Sequence, residues 1–160
     1  MLNFILDKTD IDILKALQHD GGISNIELSE KVSLSPSPCS RRVKLLEEAG
    51  FFRGKVTLLD PKMVGLPVNV FIQITLSRQK KKYLEIFENK VSQWTQVMEC
   101  NLITGDFDYL IRVAVSDLIS YQQFLDNLTE MEGISHIKSS FSLKQICYKT
   151  ELPLEHMYGQ

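Results

Sequence analysis

Apolar residues recur with two different periods along this chain, and the change of period divides the chain in two. From residue 7 to residue 52 they recur every three to four positions, a spacing that predicts three short helices. From Val68 to Leu76 apolar and polar residues alternate strictly, which is typical of a strand with one buried face. The later pattern predicts a helix at 79–92, strands at 94–104 and 109–115, a helix capped by Ser116 or Asp117, and a last strand from Ile134 to about Tyr148.

The second half therefore has the order β-α-β-β-α-β, which predicts a ferredoxin-like α+β sandwich. One face of its sheet takes the two helices, so the other face would be left in water unless a second chain covers it. We therefore expect a dimer, and we expect the apolar face of Val68–Leu76 to contact the second chain. The predicted segments are a helix-turn-helix domain at 1–54, a linker at 55–66, the α+β domain at 67–150 and a loosely held C-terminal tail at 151–160.

The stretch from Ser24 to Phe52 predicts two short helices joined by a tight turn. Ser24 and Glu27 have the spacing of a capping box, in which each side chain bonds the other residue's backbone N–H. Pro36 suits the first position of the next helix, because the N–H that proline lacks would be unpaired there anyway. Gly50 suits the end of that helix. Apolar residues Ile26, Leu28 and Val32 are expected on the inner side of the first of these two helices.

In the helix that begins at Pro36, Cys39, Val43 and Leu46 share one face, so the polar and basic residues lie opposite them. Small hydroxyl residues at a helix start let backbone N–H groups meet a phosphate, and an arginine one turn further in can reach a guanine edge. Two amphipathic helices joined by a short turn also occur in many proteins that do not bind DNA. The residues favour a DNA-reading helix with these contacts: Ser35, Ser37, Pro38, Ser40, Arg41 and Lys44.

The charge distribution agrees with binding to phosphates, and the composition argues against a metalloprotein, an enzyme or a membrane protein. The net charge is −2, but residues 36–55 carry five cations against two glutamates, and local charge governs attraction to phosphates. The three cysteines and three histidines are scattered, so no metal or cofactor is expected, and no catalytic motif argues for an enzyme. Residues 1–6 are too short for a signal peptide and no apolar run is long enough to span a membrane, so a cytoplasmic protein is expected.

The turn before the third strand has two interpretations. Gly105 permits positive φ or close backbone approach. Asp106 and Asp108 suit a turn held by side-chain hydrogen bonds to the backbone. The same aspartates could pair with a ligand's ammonium group while backbone N–H groups hold its carboxylate. The residue types alone do not decide between the two.

Three stretches in this order resemble the Lrp/AsnC family of transcriptional regulators, closest to its leucine-responsive branch. They are LDKTDIDILKALQHDG, ISNIELSEKVSLSPSPCSRRVKLLEEAGF and NLITGDFDYLIRV, at residues 6–21, 23–51 and 101–113. The resemblance implies an N-terminal winged helix-turn-helix that binds double-stranded DNA and a C-terminal effector-sensing domain. It also implies dimers that associate further, commonly as octamers, and an amino-acid effector bound between dimers.

The resemblance places the effector near the GDFDY turn and the last strand. Apolar surroundings without a spare charge favour leucine or methionine. The expected effector contacts are Leu102, Thr104, Gly105, Asp106, Phe107, Asp108, Tyr109 and Ser140. The alternative is a DNA-architectural protein that acts without a ligand; either protein would be associated with the nucleoid.

Overall fold

The computed structural model describes residues 5–77 and 81–158, which form two compact units. Residues up to 58 and those from 147 onward belong to the first unit, and residues 59–146 form the second. The helix predicted at 79–92 begins outside the described residues, which resume at residue 81.

Three helices make the first unit: α1 (Lys8–His19), α2 (Asn25–Lys31) and α3 (Pro36–Glu48). The predicted starts of α2 and α3 are confirmed. Asp7 caps α1 in a capping box with Asp10, Ser24 caps α2 in a capping box with Glu27, and Pro36 is the first residue of α3. The helices enclose a core of Ile13, Leu14, Leu17, Leu28, Cys39 and Leu46.

Gly50 ends α3 with φ +82°, a conformation that favours glycine. Its N–H donates to the carbonyl of Glu47, and the N–H of Phe51 donates to that of Leu46, which is the Schellman pattern. Residues 51–59 form neither a helix nor a strand. One core prediction in this unit is wrong: Ile26 is exposed, because α2 turns it away from Leu28.

The C-terminal segment packs on α1, whereas its sequence predicted loose attachment. The side chain of Gln18 donates to the carbonyl of Leu152 at 2.8 Å and accepts the N–H of the same residue at 3.0 Å. His19 lies 2.8 Å from a carboxylate oxygen of Glu151, and Leu154 packs against the core of the first unit. A short 3-10 helix, Glu155–Met157, follows.

The second unit has the predicted β-α-β-β-α-β order. Its elements are β1 (Val68–Leu76), α4 (Lys81–Val91), β2 (Val97–Leu102), β3 (Tyr109–Val115), α5 (Leu118–Thr129) and β4 (Ile134–Phe141). The four strands pair antiparallel in the order β2-β3-β1-β4, so the ferredoxin-like prediction is confirmed. Strands β2 and β4 are shorter than predicted, and Asp117 is the residue that caps α5.

The apolar face of β1 is buried within the unit, so it is not available to a second chain. Its residues form the main core with Phe87, Tyr121 and Phe124; they are Val70, Ile72, Ile74 and Leu76. The use of this face to argue for a dimer is therefore wrong, because α4 and α5 already cover it. The open face of β1 carries Asn69, Phe71, Gln73 and Thr75 instead. Ile86 of α4 and Leu118 of α5 are exposed.

Candidate DNA-reading and effector sites

The start of α3 is held beside the start of α2. The side chain of Asn25 donates to the backbone carbonyl of Pro36 at 2.9 Å, so the first residues of the two helices are joined. Arg41 and Lys44 project from the exposed side of α3, and Lys44 lies 3.8 Å from Glu48 at its exposed edge. The helix thus presents cations on a face with no part in the core.

Arg42, next to Arg41, points the other way. Its Nη1 lies 2.7 Å from a carboxylate oxygen of Asp7 and 2.7 Å from one of Asp10, both at the start of α1. Hydrogen bonds to Asp10 and then Asp7 raise the pKa of Arg42. Burial opposes ionisation of Asp7, but bonds from the Asp10 N–H and from Arg42 outweigh it and lower the pKa of Asp7. Arg42 therefore fixes α3 against α1.

Most of the residues predicted to contact DNA lie together. Ser37, Ser40, Arg41 and Lys44 line one shallow concavity with Pro36 and Asn25. Ser35 and Pro38 are exposed at the same helix start, and the Ser35 side chain makes no capping hydrogen bond in the structure. Sequence reasoning missed Asn25, whose only sequence signal is a polar residue directly after the Ser24 cap. A hydroxyl-lined, cationic concavity of this kind suits a phosphate backbone.

In the second unit the predicted effector loop lies between β2 and β3. Thr104, Gly105 and Asp106 are exposed, and Gly105 has φ +136°. Leu102, the last residue of β2, is 60% exposed, and Phe107 is half-buried. The loop thus offers a carboxylate, accessible backbone and apolar surface on one short segment.

Two of the expected effector contacts are used inside the fold. The carboxylate of Asp108, 7% exposed, accepts the N–H of Leu76 at 2.7 Å. Tyr109 is 1% exposed, and its hydroxyl donates to Glu88 at 2.7 Å. Burial, and then the bond to Glu88, raise the pKa of Tyr109, which stays a neutral donor. Neither side chain lies at the surface of this unit.

Ser140 is not brought to the loop within one chain. It lies on the open face of the sheet, paired with Phe71, whereas the loop begins beyond the pair Ile74–Tyr109. Three residues of β1 separate these pairs, roughly 10 Å along the strand, and β1 itself lies between β4 and β3. Its neighbour Ser139 faces the helices and bonds the hydroxyl of Tyr121. A single site containing both Ser140 and the loop would need a second chain.

The part of the chain that the structure describes contains neither a candidate metal site nor a helix able to span a membrane. No group of three or more His, Cys, Asp or Glu side chains there could hold a metal ion. Among the same residues, no helix combines the length and apolar character needed to cross a membrane.

Comparison with known families identifies both units. Residues 6–53 match the family described as "Winged helix-turn-helix DNA-binding", and residues 69–152 match "Lrp/AsnC ligand binding domain". The Bkd operon transcriptional regulator of Pseudomonas aeruginosa is 42% identical over 150 residues, which are 93% of this chain and 98% of that protein. The leucine-responsive regulatory protein of Escherichia coli is 37% identical over 151 residues, 94% of this chain and 92% of that protein. These relatives are regulators, not enzymes.

Solved structures agree with this fold. A transcriptional regulator from Neisseria meningitidis, crystallised as a complex with L-Met, is 44% identical and superposes with a TM-score of 0.92, covering 95% of this chain and 99% of that one. An AsnC family regulator from Agrobacterium tumefaciens is 39% identical with a TM-score of 0.90, and the match covers 95% of this chain and 99% of that one.

Proposed function

We propose that this chain, which belongs to the Lrp/AsnC family of DNA-binding transcriptional regulators, senses an apolar amino acid, methionine or leucine, in its second unit. The observation that carries the choice of ligand is the 44% identical Neisseria meningitidis regulator, which was crystallised with L-Met. The Escherichia coli relative, named as leucine-responsive, supports leucine as the other candidate.

The loop between β2 and β3 supplies groups that suit a zwitterion with an apolar side chain. The exposed carboxylate of Asp106 pairs with the ammonium group, and backbone N–H groups around Gly105 hold the carboxylate. Leu102 and Phe107 form apolar walls for the ligand's side chain. Thr104 and the other predicted contacts shape the site, Asp108 and Tyr109 from within the core.

The site is completed by a second chain, which links ligand binding to assembly. Ser140 is too far from the loop of its own chain, so a neighbouring subunit supplies the last-strand contact. Dimers then associate further, as an octamer of four dimers, with the ligand between dimers. A ligand with different affinities for two assemblies shifts the balance between them.

DNA is read from α3. Arg41 and Lys44 contact bases or phosphates, and Ser35, Ser37, Pro38 and Ser40 bring the helix start against the backbone. Two reading helices of a dimer address two half-sites about one helical turn apart. This activity places the protein at the nucleoid, in the cytoplasm.

The test is a thermal-denaturation screen against the twenty amino acids, followed by isothermal titration and light scattering of the hits. Methionine or leucine at a hundred times its Kd should stabilise the chain by about 2.7 kcal/mol through mass action. A charged amino acid that binds more tightly would overturn the ligand choice. If no amino acid stabilises the chain while DNA binding persists, the ligand-independent architectural protein is the better description.

A further inference from the structure

Asp108 joins three segments at the point where the effector loop returns to the sheet. Its backbone N–H donates to the carbonyl of Ile74 at 2.9 Å, and its own carbonyl accepts the N–H of Ile103 at 2.9 Å. Its carboxylate accepts the N–H of Leu76 at 2.7 Å in a buried position. Both ends of the loop, at 103 and 108, are therefore tied together, and the loop is tied to β1.

The Asp108 carboxylate lies where β3 no longer pairs with the last residues of β1. Pairing between β1 and β3 ends at Ile74 and Tyr109, while β1 continues to Leu76. On the other side of β1, the pairing with β4 shifts between Thr75 and Leu76. A buried N–H without an acceptor is costly, and a carboxylate is a stronger acceptor than a carbonyl. Asp108 thus extends the sheet by one bond.

We infer that the two aspartates of the loop have different roles. Asp108 is a positioning residue that fixes the conformation of the loop, and Asp106 supplies the carboxylate that binds the ligand's ammonium group. The sequence treats the two alike, because both flank Phe107 in the same turn. In the structure Asp106 is exposed, directly after Gly105, while Asp108 points its carboxylate at Leu76. This division of roles rests on the amino-acid site proposed above.

The two roles respond differently to conservative substitution. Asparagine keeps an oxygen acceptor but loses the charge, so Asp108→Asn can still accept the Leu76 N–H, whereas Asp108→Ala cannot. An ammonium partner depends on the charge, so Asp106→Asn should fail where Asp108→Asn succeeds. Asp106→Asn is the matched control, since the same change is made two residues away in the same loop.

The experiment uses the full-length chain, L-methionine and L-leucine as titrants, and two readouts. Isothermal titration measures affinity, and hydrogen–deuterium exchange of a peptide covering residues 70–77, followed by mass spectrometry without ligand, reports the Leu76 amide. We expect Asp108→Ala to weaken binding roughly tenfold or more and to speed exchange, and Asp108→Asn to restore both. Asp106→Asn should weaken binding by a similar factor without changing exchange.

Two results would overturn the inference. One is an Asp108→Asn variant that loses binding while its 70–77 peptide stays protected, because the charge of Asp108 would then meet the ligand. The other is normal protection in Asp108→Ala. If Asp108→Ala does not fold, Asp108→Asn alone decides by the first criterion. If the unaltered chain binds neither titrant, the proposed ligand is wrong, and exchange still decides whether Asp108 holds the loop.

Discussion

The adjacent arginines of α3 should have different effects when each is replaced by alanine: loss of Arg42 should lower the stability of the first unit, and loss of Arg41 should lower DNA affinity. Arg42 bonds two carboxylates of α1, and the side chain of Asp10 is only 8% exposed, whereas that of Asp7 is 52% exposed. Removing the guanidinium leaves the Asp10 carboxylate buried without its cation. A hydrogen bond to a charged group contributes about 1.5–3 kcal/mol, and the exposed half of the pair adds little because solvent screens it.

We therefore expect Arg42→Ala to destabilise the first unit by about 2 kcal/mol, which for a unit of this size is a fall in Tm of roughly 8–16 °C. Arg41→Ala is the control, since Arg41 is exposed on a different face of the helix. The Arg41→Ala variant should have the Tm of the unaltered chain. If Arg41 contacts a base, the variant's DNA-binding free energy should be weaker by about 1–3 kcal/mol.

Calorimetry of the full-length variants, together with fluorescence anisotropy on one duplex, separates the two effects. The unit assignment of each transition can be checked by adding DNA, which should raise only the transition of the first unit. An Arg42→Ala variant that melts at the original temperature would contradict the stabilising role of Arg42. A double variant, Arg41→Ala with Lys44→Ala, that binds DNA as well as the unaltered chain does would overturn the DNA-reading role of these two residues.

Further predictions concern the ends of the first unit and its response to acid. Gly50→Ala forces a Cβ into φ +82° and should cost about 1–2 kcal/mol by denaturant unfolding; an unchanged midpoint would show that the turn relaxes freely. Deleting residues 151–160 removes both Gln18–Leu152 hydrogen bonds and should lower the Tm of this unit, whereas a freely hanging tail would leave it unchanged. Because the folded pKa of Asp7 is lowered, its contribution to stability is present above the ordinary value of about 3.9 and is lost as pH falls below it. The loss of stability caused by Asp7→Asn should accordingly be larger at pH 6 than in acid and should shrink as pH falls below that ordinary pKa value, and a loss that does not change with pH would contradict this.

Local features of the fold could be predicted from the sequence because their causes lie within a few residues. The capping box at Ser24 depends on two residues three positions apart, and the Gly50 turn depends on one backbone angle. Strand β1 was predicted with its bounds because strict alternation over nine residues matches the repeat of a strand and not that of a helix.

Features that depend on distant residues could not be predicted in the same way. Alternation marks two faces of β1 but does not say that the helices take the apolar one and leave Phe71 on the open face. The acceptor for Leu76 lies 32 residues away, and the segment that packs on Gln18 lies 134 residues away. Ile26 illustrates the same limit, because helical spacing in a helix of seven residues does not define an inner face.

The loop between β2 and β3 shows how much the residue types alone can predict. Its glycine and two aspartates indicated either a ligand site or a self-contained turn, and the structure shows that one of the two aspartates belongs to the turn. Asp108 serves the turn, and Asp106 remains exposed beside Gly105. The burial of Asp108 and the bond of its carboxylate to the Leu76 N–H, not the residue types, distinguish the two aspartates.

The central claim, that an apolar amino acid bound to the second unit controls the action of the first on DNA, can be measured directly. A duplex selected from a random pool by the chain itself is titrated by fluorescence anisotropy with and without saturating L-methionine or L-leucine, and light scattering is recorded on the same samples. We expect one of the two amino acids to change the DNA Kd by roughly fivefold or more, together with a change in assembly. An amino acid that binds tightly and leaves both the DNA Kd and the assembly unchanged would contradict the claim.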